Sequence, residues 1–188
     1  MRNVRDSVFE TNSSSVHSLT IKRNKMGKYD YNLPMNKKGF VPLMFSSGFD
    51  FGWGPAEYRD TYSKLNYLAC MAFQIYQMQT LKHNRQPLCS IPNVLKIKDI
   101  KKLERVISKK NPVFRGFFIG DLNVFYIAED YYDRSKQMLE LYDDIDHQSC
   151  EDKEYYLSID DFLKENNITL ENFLFNPYVV LNISNDNG

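Results

Sequence analysis

The chain has 188 residues, an ordinary apolar content of 43% and equal numbers of basic and acidic residues, 24 of each. That length suits a single domain with room for a proper core. It holds no apolar run near the ~18 residues of a membrane span, and Arg2, Arg5, Asp6 and Glu10 interrupt any signal-peptide core. Cys70, Cys89 and Cys150 are odd in number, widely spaced and form no zinc-type pair, which suits a reducing cytoplasm. The zero net charge hides a split. Residues 1–128 carry 20 Lys/Arg against 9 Asp/Glu, a net +11; residues 129–188 carry 4 against 15, a net −11. Three readings stay open: a polar partner on the basic side, often nucleic acid; two portions that pack and neutralise each other; or an acidic surface that imitates a phosphate backbone.

In chain order, Val4 to Glu10 reads as the start of a strand and Val16 to Lys22 as the clearest early strand. The basic stretch from Lys22 to Lys38, with Gly27, Pro34 and Gly39 around it, reads as a loop or ragged hairpin, and Val41 to Phe45 as a short strand. Ser46 to Pro55 holds three glycines and a proline, which preclude regular structure, while its aromatics argue for a packed loop. From Arg59 to Lys82, Leu65, Leu68, Ala69, Ala72, Ile75 and Tyr76 form one helical stripe, widened by Met71, Phe73 and Met78. This predicts one long helix over about 59–82, buried on more than one side.

Asp99 to Lys109 predicts a second helix, capped by Asp99, with Ile100, Leu103 and Ile107 inward and Lys98, Lys101, Lys102, Arg105, Lys109 and Lys110 outward. Pro112 stops it. The apolar runs 113–119 and 123–128 flank Gly120-Asp121, as in a hairpin. Asp133 to Asp144 and Ile159 to Asn166 predict helices. Thr169 caps another, and Tyr178 to Ile183 is a final strand. Strands and helices alternate without regular βαβ spacing. The expected fold is α+β, a single domain with a largely antiparallel sheet against the long helix and several shorter ones.

The chemistry concentrates near the N-terminus. Phe9 to Ser18 packs a carboxylate, an amide, five hydroxyls and an imidazole into ten residues. Glu10 can act as general base or metal ligand. Asn12 can donate to phosphate, and the Ser13-Ser14-Ser15 turn can offer hydroxyls and N–H groups to one. Strand alternation puts His17 with Leu19 and Ile21, as a core histidine or at a rim where the buried face opens. Asp50 and Trp53 lie on the glycine-rich loop, where the ring can stack a base or plug the core. His147 sits between Asp146 and Gln148, and Gln148 can bind phosphate or a base edge. His17 with His147 makes an acid–base pair of the kind that cleaves RNA through its own 2′-hydroxyl. The same groups with Glu10 or Asp50 could instead hold a divalent metal ion, though no ligand spacing supports it. Lys101, Lys102 and Arg105 can track an RNA backbone, or simply face solvent. His83 reads as a surface residue near a helix end.

Phe9-Glu10-Thr11-Asn12-Ser13-Ser14-Ser15-Val16-His17-Ser18 resembles an N-terminal signature of small phage and mobile-element proteins, chiefly of Firmicutes. The resemblance extends to Phe51-Gly52-Trp53-Gly54, to Lys64-Leu65-Asn66-Tyr67-Leu68, to Ile145-Asp146-His147-Gln148-Ser149 and to Asn185-Asp186-Asn187. That group is similar to anti-CRISPR proteins of type II-A systems, one of which shortens guide RNA. The resemblance implies a ribonuclease or a guide-RNA-binding inhibitor active in a bacterial cytoplasm, with guide RNA and the effector nuclease as partners; the alternatives are a non-catalytic inhibitor with an acidic phosphate-mimicking surface and an unrelated hydrolase of mobile elements. No membrane and no cofactor beyond a possible divalent metal ion are expected. The site candidates are then Glu10, Asn12, Ser13, Ser15, His17, Asp50, Trp53 and His147.

Overall fold

The computed structural model describes residues 15–21, 28–45, 51, 56–84, 89–90, 94–120, 138–139 and 157–185. In chain order these form β1 (Ser15–Ile21), β2 (Phe40–Leu43), β3 (Ala56–Tyr58), α1 (Thr61–Asn84), β4 (Cys89–Ser90), α2 (Lys98–Lys110), β5 (Gly116–Ile119), β6 (Met138–Leu139), α3 (Ile159–Glu165), α4 (Leu170–Phe175) and β7 (Val179–Asn185). The class is α+β, as expected.

The helix α1 is the centre of the core. Asp60 caps it, accepting from the Ser63 amide at 2.8 Å and from the Ser63 hydroxyl at 2.7 Å. Every residue from Ser63 to Gln74 is buried, so no side of the helix faces water over that stretch. A helix surrounded in this way needs neighbours all round, and α2, α3 and α4 all pack on it. The expectation of one long helix over 59–82 falls on α1, whose side chains are described as far as Tyr76. A relay of rings ties the layers together. Phe51 meets Tyr58 and Tyr67, Tyr67 meets Phe162, and Phe162 meets Phe173, with centroids 5.2 to 5.8 Å apart.

α2 is amphipathic, with Ile100, Leu103 and Ile107 buried as the spacing predicts. Its cap differs from expectation. Ile97 holds the cap position with no side-chain bond, and Asp99 lies inside the first turn, where its charge meets the helix dipole. Asn111 ends the helix, its amide bonded to Ile107 O, and Pro112 cannot extend it. Ser158 caps α3 and Thr169 caps α4, each accepting from the amide three residues on. α3 closes through Asn167 in the left-handed region (φ 48°). The Ile168 amide reaches Leu163 O and the Asn167 amide reaches Lys164 O, a Schellman closure.

Among the described residues the strands pair as three small sheets. In the largest, β7 lies between β1 and β3, antiparallel to both. Val179, Val180 and Leu181 are all buried, as a strand covered on both faces requires. The second sheet pairs β2 with β5 in parallel, Phe40 opposite Gly116 and Leu43 opposite Ile119. The expected hairpin from 113–119 to 123–128 has its second arm outside the described residues, and the described partner of β5 is β2. Parallel pairing needs a long crossover, and α1 and α2 supply it. Met138–Leu139 pairs antiparallel with Cys89–Ser90. Those two residues fall within the helix expected over 133–144 and are extended, because their main chain bonds to another strand. The rest of that stretch lies outside the described residues, as does the strand start at Val4 to Glu10.

Candidate functional site

Glu10, Asn12, Ser13, Ser14, Asp50, Trp53, His147 and Gln148 lie outside the described residues. Ser15 and His17 stand in β1 and are described by their backbone. What the structure supplies is the frame to which these segments attach.

That frame has a definite end. Ser15 pairs with Asn185, His17 with Ile183, and on the other side of β7 Ala56 pairs with Ile183. Residues 17, 183 and 56 therefore form one row across three strands. At ~4.8 Å per strand spacing, the backbones at His17 and Ala56 are about 10 Å apart. Since β7 runs against both neighbours, the start of β1, the start of β3 and the end of β7 lie at the same edge. The Phe9–Ser18 signature continues into β1 there. The Phe51–Gly54 block is followed by β3 there, and Asn185 leads into Asp186 and Asn187. Three of the five sequence blocks are thus tethered to one end of one sheet. Phe51 itself is buried between Tyr58 and Tyr67. Leu19, two residues along β1 from His17, is buried opposite the buried Leu181.

The Lys64–Leu68 block has a structural job. Lys64 is 0% exposed, in the middle of the core. Its Nζ donates to Asn176 O at 2.9 Å and to Val179 O at 3.3 Å, the residues that join α4 to β7. The ammonium also lies 5.9 Å from the centre of the Phe173 ring. Burial pulls its pKa down from 10.5 to about 8, against Asp60 and Asp30, whose charges raise it. With its protons committed to two carbonyls, Lys64 acts as a clamp. Asn66 accepts from the Met44 amide at 2.8 Å and donates to Tyr62 O at 2.9 Å, which finishes β2 against α1. Burial pushes the Tyr67 phenol above its ordinary pKa, and the nearby Cys70 adds to this. Sequence reasoning did not single out Lys64. The available signal was its place at i, i+4 and i+7 with Leu68 and Met71, on a face that is otherwise apolar.

The basic residues of α2 differ in their acidic neighbours. Lys102 forms an ion pair with Asp160 of α3, and Lys110 pairs with Glu171 of α4 at 2.6 Å. The hydrogen bond that Lys110 donates to Glu171 is the chief reason that its pKa is raised. Lys101 holds Glu104 at 2.6 Å. Arg105 donates from Nε to Lys101 O at 3.1 Å and has no carboxylate partner among the described residues. Two bridges therefore join the basic portion of the chain to the acidic one, so part of the +11/−11 split is neutralised internally. Of the three α2 candidates, Arg105 alone remains without an acidic partner among the described residues.

Among the described residues no group of three or more His, Cys, Asp or Glu could hold a metal ion, and no helix is long and apolar enough to cross a membrane. Comparison with protein-family models, curated proteins and solved structures finds no match for this chain.

Proposed function

We propose that this chain is an anti-CRISPR inhibitor of a type II-A effector nuclease that shortens guide RNA, working in a bacterial cytoplasm from the sheet end marked by Ser15, Ala56 and Asn185. The observation that supports this reading is the register. The hydroxyl-rich signature, the Trp53 loop and the C-terminal Asn-rich block all attach to one edge. Groups scattered along a sequence can act together only if the fold tethers them together, and a row about 10 Å wide is the span of a nucleotide-sized site.

In this reading one of Glu10, His17 and His147 takes the proton of a 2′-hydroxyl, and the 2′ oxygen attacks the adjacent phosphorus. The bond from phosphorus to the 5′ oxygen breaks, and a second of these groups protonates that oxygen, leaving a 2′,3′-cyclic phosphate. Asn12 and the Ser13–Ser15 turn hold the phosphate oxygens, Asp50 orients a histidine, Trp53 stacks a base and Gln148 contacts its edge.

The test is an end-labelled guide RNA incubated with the protein, alone and with the effector nuclease, with and without chelator. Discrete shortening that survives chelator, leaves cyclic ends and is abolished by Glu10→Ala or His17→Ala is the expected result. Intact RNA under every condition, or full cleavage by both variants, would sink the reading. Shortening lost in chelator would move Glu10, Asp50 and the histidines into a metal site.

A further inference from the structure

The charged face of α2 has two sides with different fates. Toward α3 and α4, Lys102 and Lys110 are held by Asp160 and Glu171. Arg105 and Lys109 stand exposed and have no carboxylate partner among the described residues. The turn before β2 brings more positive charge to the same end of the helix. Asn36 organises that turn: its side chain accepts from the Lys38 and Phe40 amides at 2.9 and 3.1 Å, leaving Lys37 and Lys38 exposed. Asn111, at the end of α2, reaches the Met35 sulfur at 4.0 Å.

The close approach depends on glycine. Gly39 has φ +83°, and a Cβ there would stand 2.3 Å from Val113 O and 3.0 Å from Arg115 Cγ. The Arg115 amide donates to Gly39 O at 2.8 Å, and its exposed side chain lies against the turn. One residue on, Gly116 lets Glu104 come down onto β5, since a Cβ there would be 2.9 Å from Glu104 Oε1. Glu104 lies beside this surface, and it already holds Lys101. Along β5 from Gly116, on the same face of the strand, Phe118 is 36% exposed, while its neighbours Phe117 and Ile119 are buried. Val113, 60% exposed, lies between the turn and the helix.

We propose that this face binds single-stranded RNA, with Lys37, Lys38, Arg105, Lys109 and Arg115 on the phosphates and Phe118 stacking a base. Charge complementarity supplies the affinity, because each phosphate contact releases counterions. The exposed ring beside the cationic cluster selects an unpaired strand, since a base offers a π-face that a paired duplex or an acidic protein does not. The inference rests on the reading above only in choosing RNA as the nucleic acid; it adds the surface that holds the strand.

The experiment is fluorescence anisotropy of a labelled 2′-O-methyl oligouridine with the full chain over a salt series. This probe has no free 2′-hydroxyl, so binding is read without cleavage and the two readings can fail separately. The wild-type chain should bind with a steep salt dependence. Lys37→Gln/Lys38→Gln/Arg115→Gln should weaken binding at least about 10-fold and flatten the salt slope by about 0.7 for each phosphate left unneutralised. Phe118→Ala should weaken it about 5-fold or more, and Phe118→Leu should do the same while keeping the bulk of the side chain. Lys164→Gln, at an exposed position of α3, should bind as wild type. Thermal melting of each variant checks that it is folded. Absent binding at low salt, binding unchanged in the triple variant, or equal affinity for polyglutamate with no effect of Phe118→Leu would overturn the proposal, the last in favour of an acidic protein partner.

Discussion

In α1, Lys64 is enclosed on every side and gives its protons to two main-chain carbonyls. In α2, Lys98, Arg105 and Lys109 stand in solvent, and Lys102 and Lys110 reach carboxylates on neighbouring helices. The same residue type thus plays three parts: a core clamp, a strut between helices and a free surface charge. What separates them is the company on each helix face. Apolar neighbours at i+4 and i+7 pull Lys64 inward, whereas α2 confines its apolar residues to one stripe and leaves the rest of its circumference wet. Summed charge cannot make that distinction, because it carries no address.

The sharpest way to break the comparison is to remove the clamp. Lys64→Ala leaves Asn176 O and Val179 O without their donor and opens a void beside Phe173. It should cost about 2–4 kcal/mol in urea unfolding. Lys64→Met, which keeps the volume, should cost less. If Lys64→Ala unfolds like wild type, Lys64 is an ordinary surface lysine and the distinction between the helices falls.

The next effect is in pH. The folded pKa of Lys64 is lowered to about 8 from 10.5, so the unfolded chain binds the proton more tightly. The destabilisation is complete below about pH 8 and is relieved as pH rises toward the ordinary lysine value. Tyr67 acts in the opposite sense at higher pH. Its phenol is raised by burial, so the unfolded chain ionises first and stability falls above about pH 10. Stability should therefore rise by about 2 kcal/mol from about pH 7.5 to about pH 9.5 and then turn down. Lys64→Met should flatten the rise. A wild-type curve that falls steadily over that window would contradict the buried-lysine assignment.

The smallest effect belongs to the struts. Asp160 is well exposed, so a double-mutant cycle on Lys102 and Asp160 should give a coupling below about 1 kcal/mol that fades in high salt. A larger coupling that salt leaves intact would mean that the pair is desolvated and belongs with the clamp.

Local patterns announced the local structure. Alternation located β1, and an apolar run located β7. The i, i+3, i+4 spacing located α2 with Ile100, Leu103 and Ile107 inward, and Thr169 announced its helix through its hydroxyl. What escaped was pairing between distant segments. Nothing near Phe40 announces Gly116 as its partner, because parallel register is set by how α1 and α2 pack between them. Asp favours the cap position, but the cap is Ile97, packed into the core two residues before Asp99. For the candidate site, the signature was legible as chemistry but not as geometry. It took the register of β7 to bring the segments of Ser15, Ala56 and Asn185 to one edge. The burial of Lys64 is not legible in its sequence block, because lysine is so seldom enclosed.

The placement of β7 also orders events in time. Among the described residues it alone joins β1 to β3, yet it is made after both. On a ribosome adding about 5–20 residues per second, β1 has no partner for on the order of ten to thirty seconds. Closing the loop from Ser15 to Asn185 then depends on a contact spanning nearly the whole chain, of the kind that slows folding. β1 therefore gains its place in the sheet only after Val179–Asn185 has been made, and the edge shared by Ser15 and Asn185 forms late.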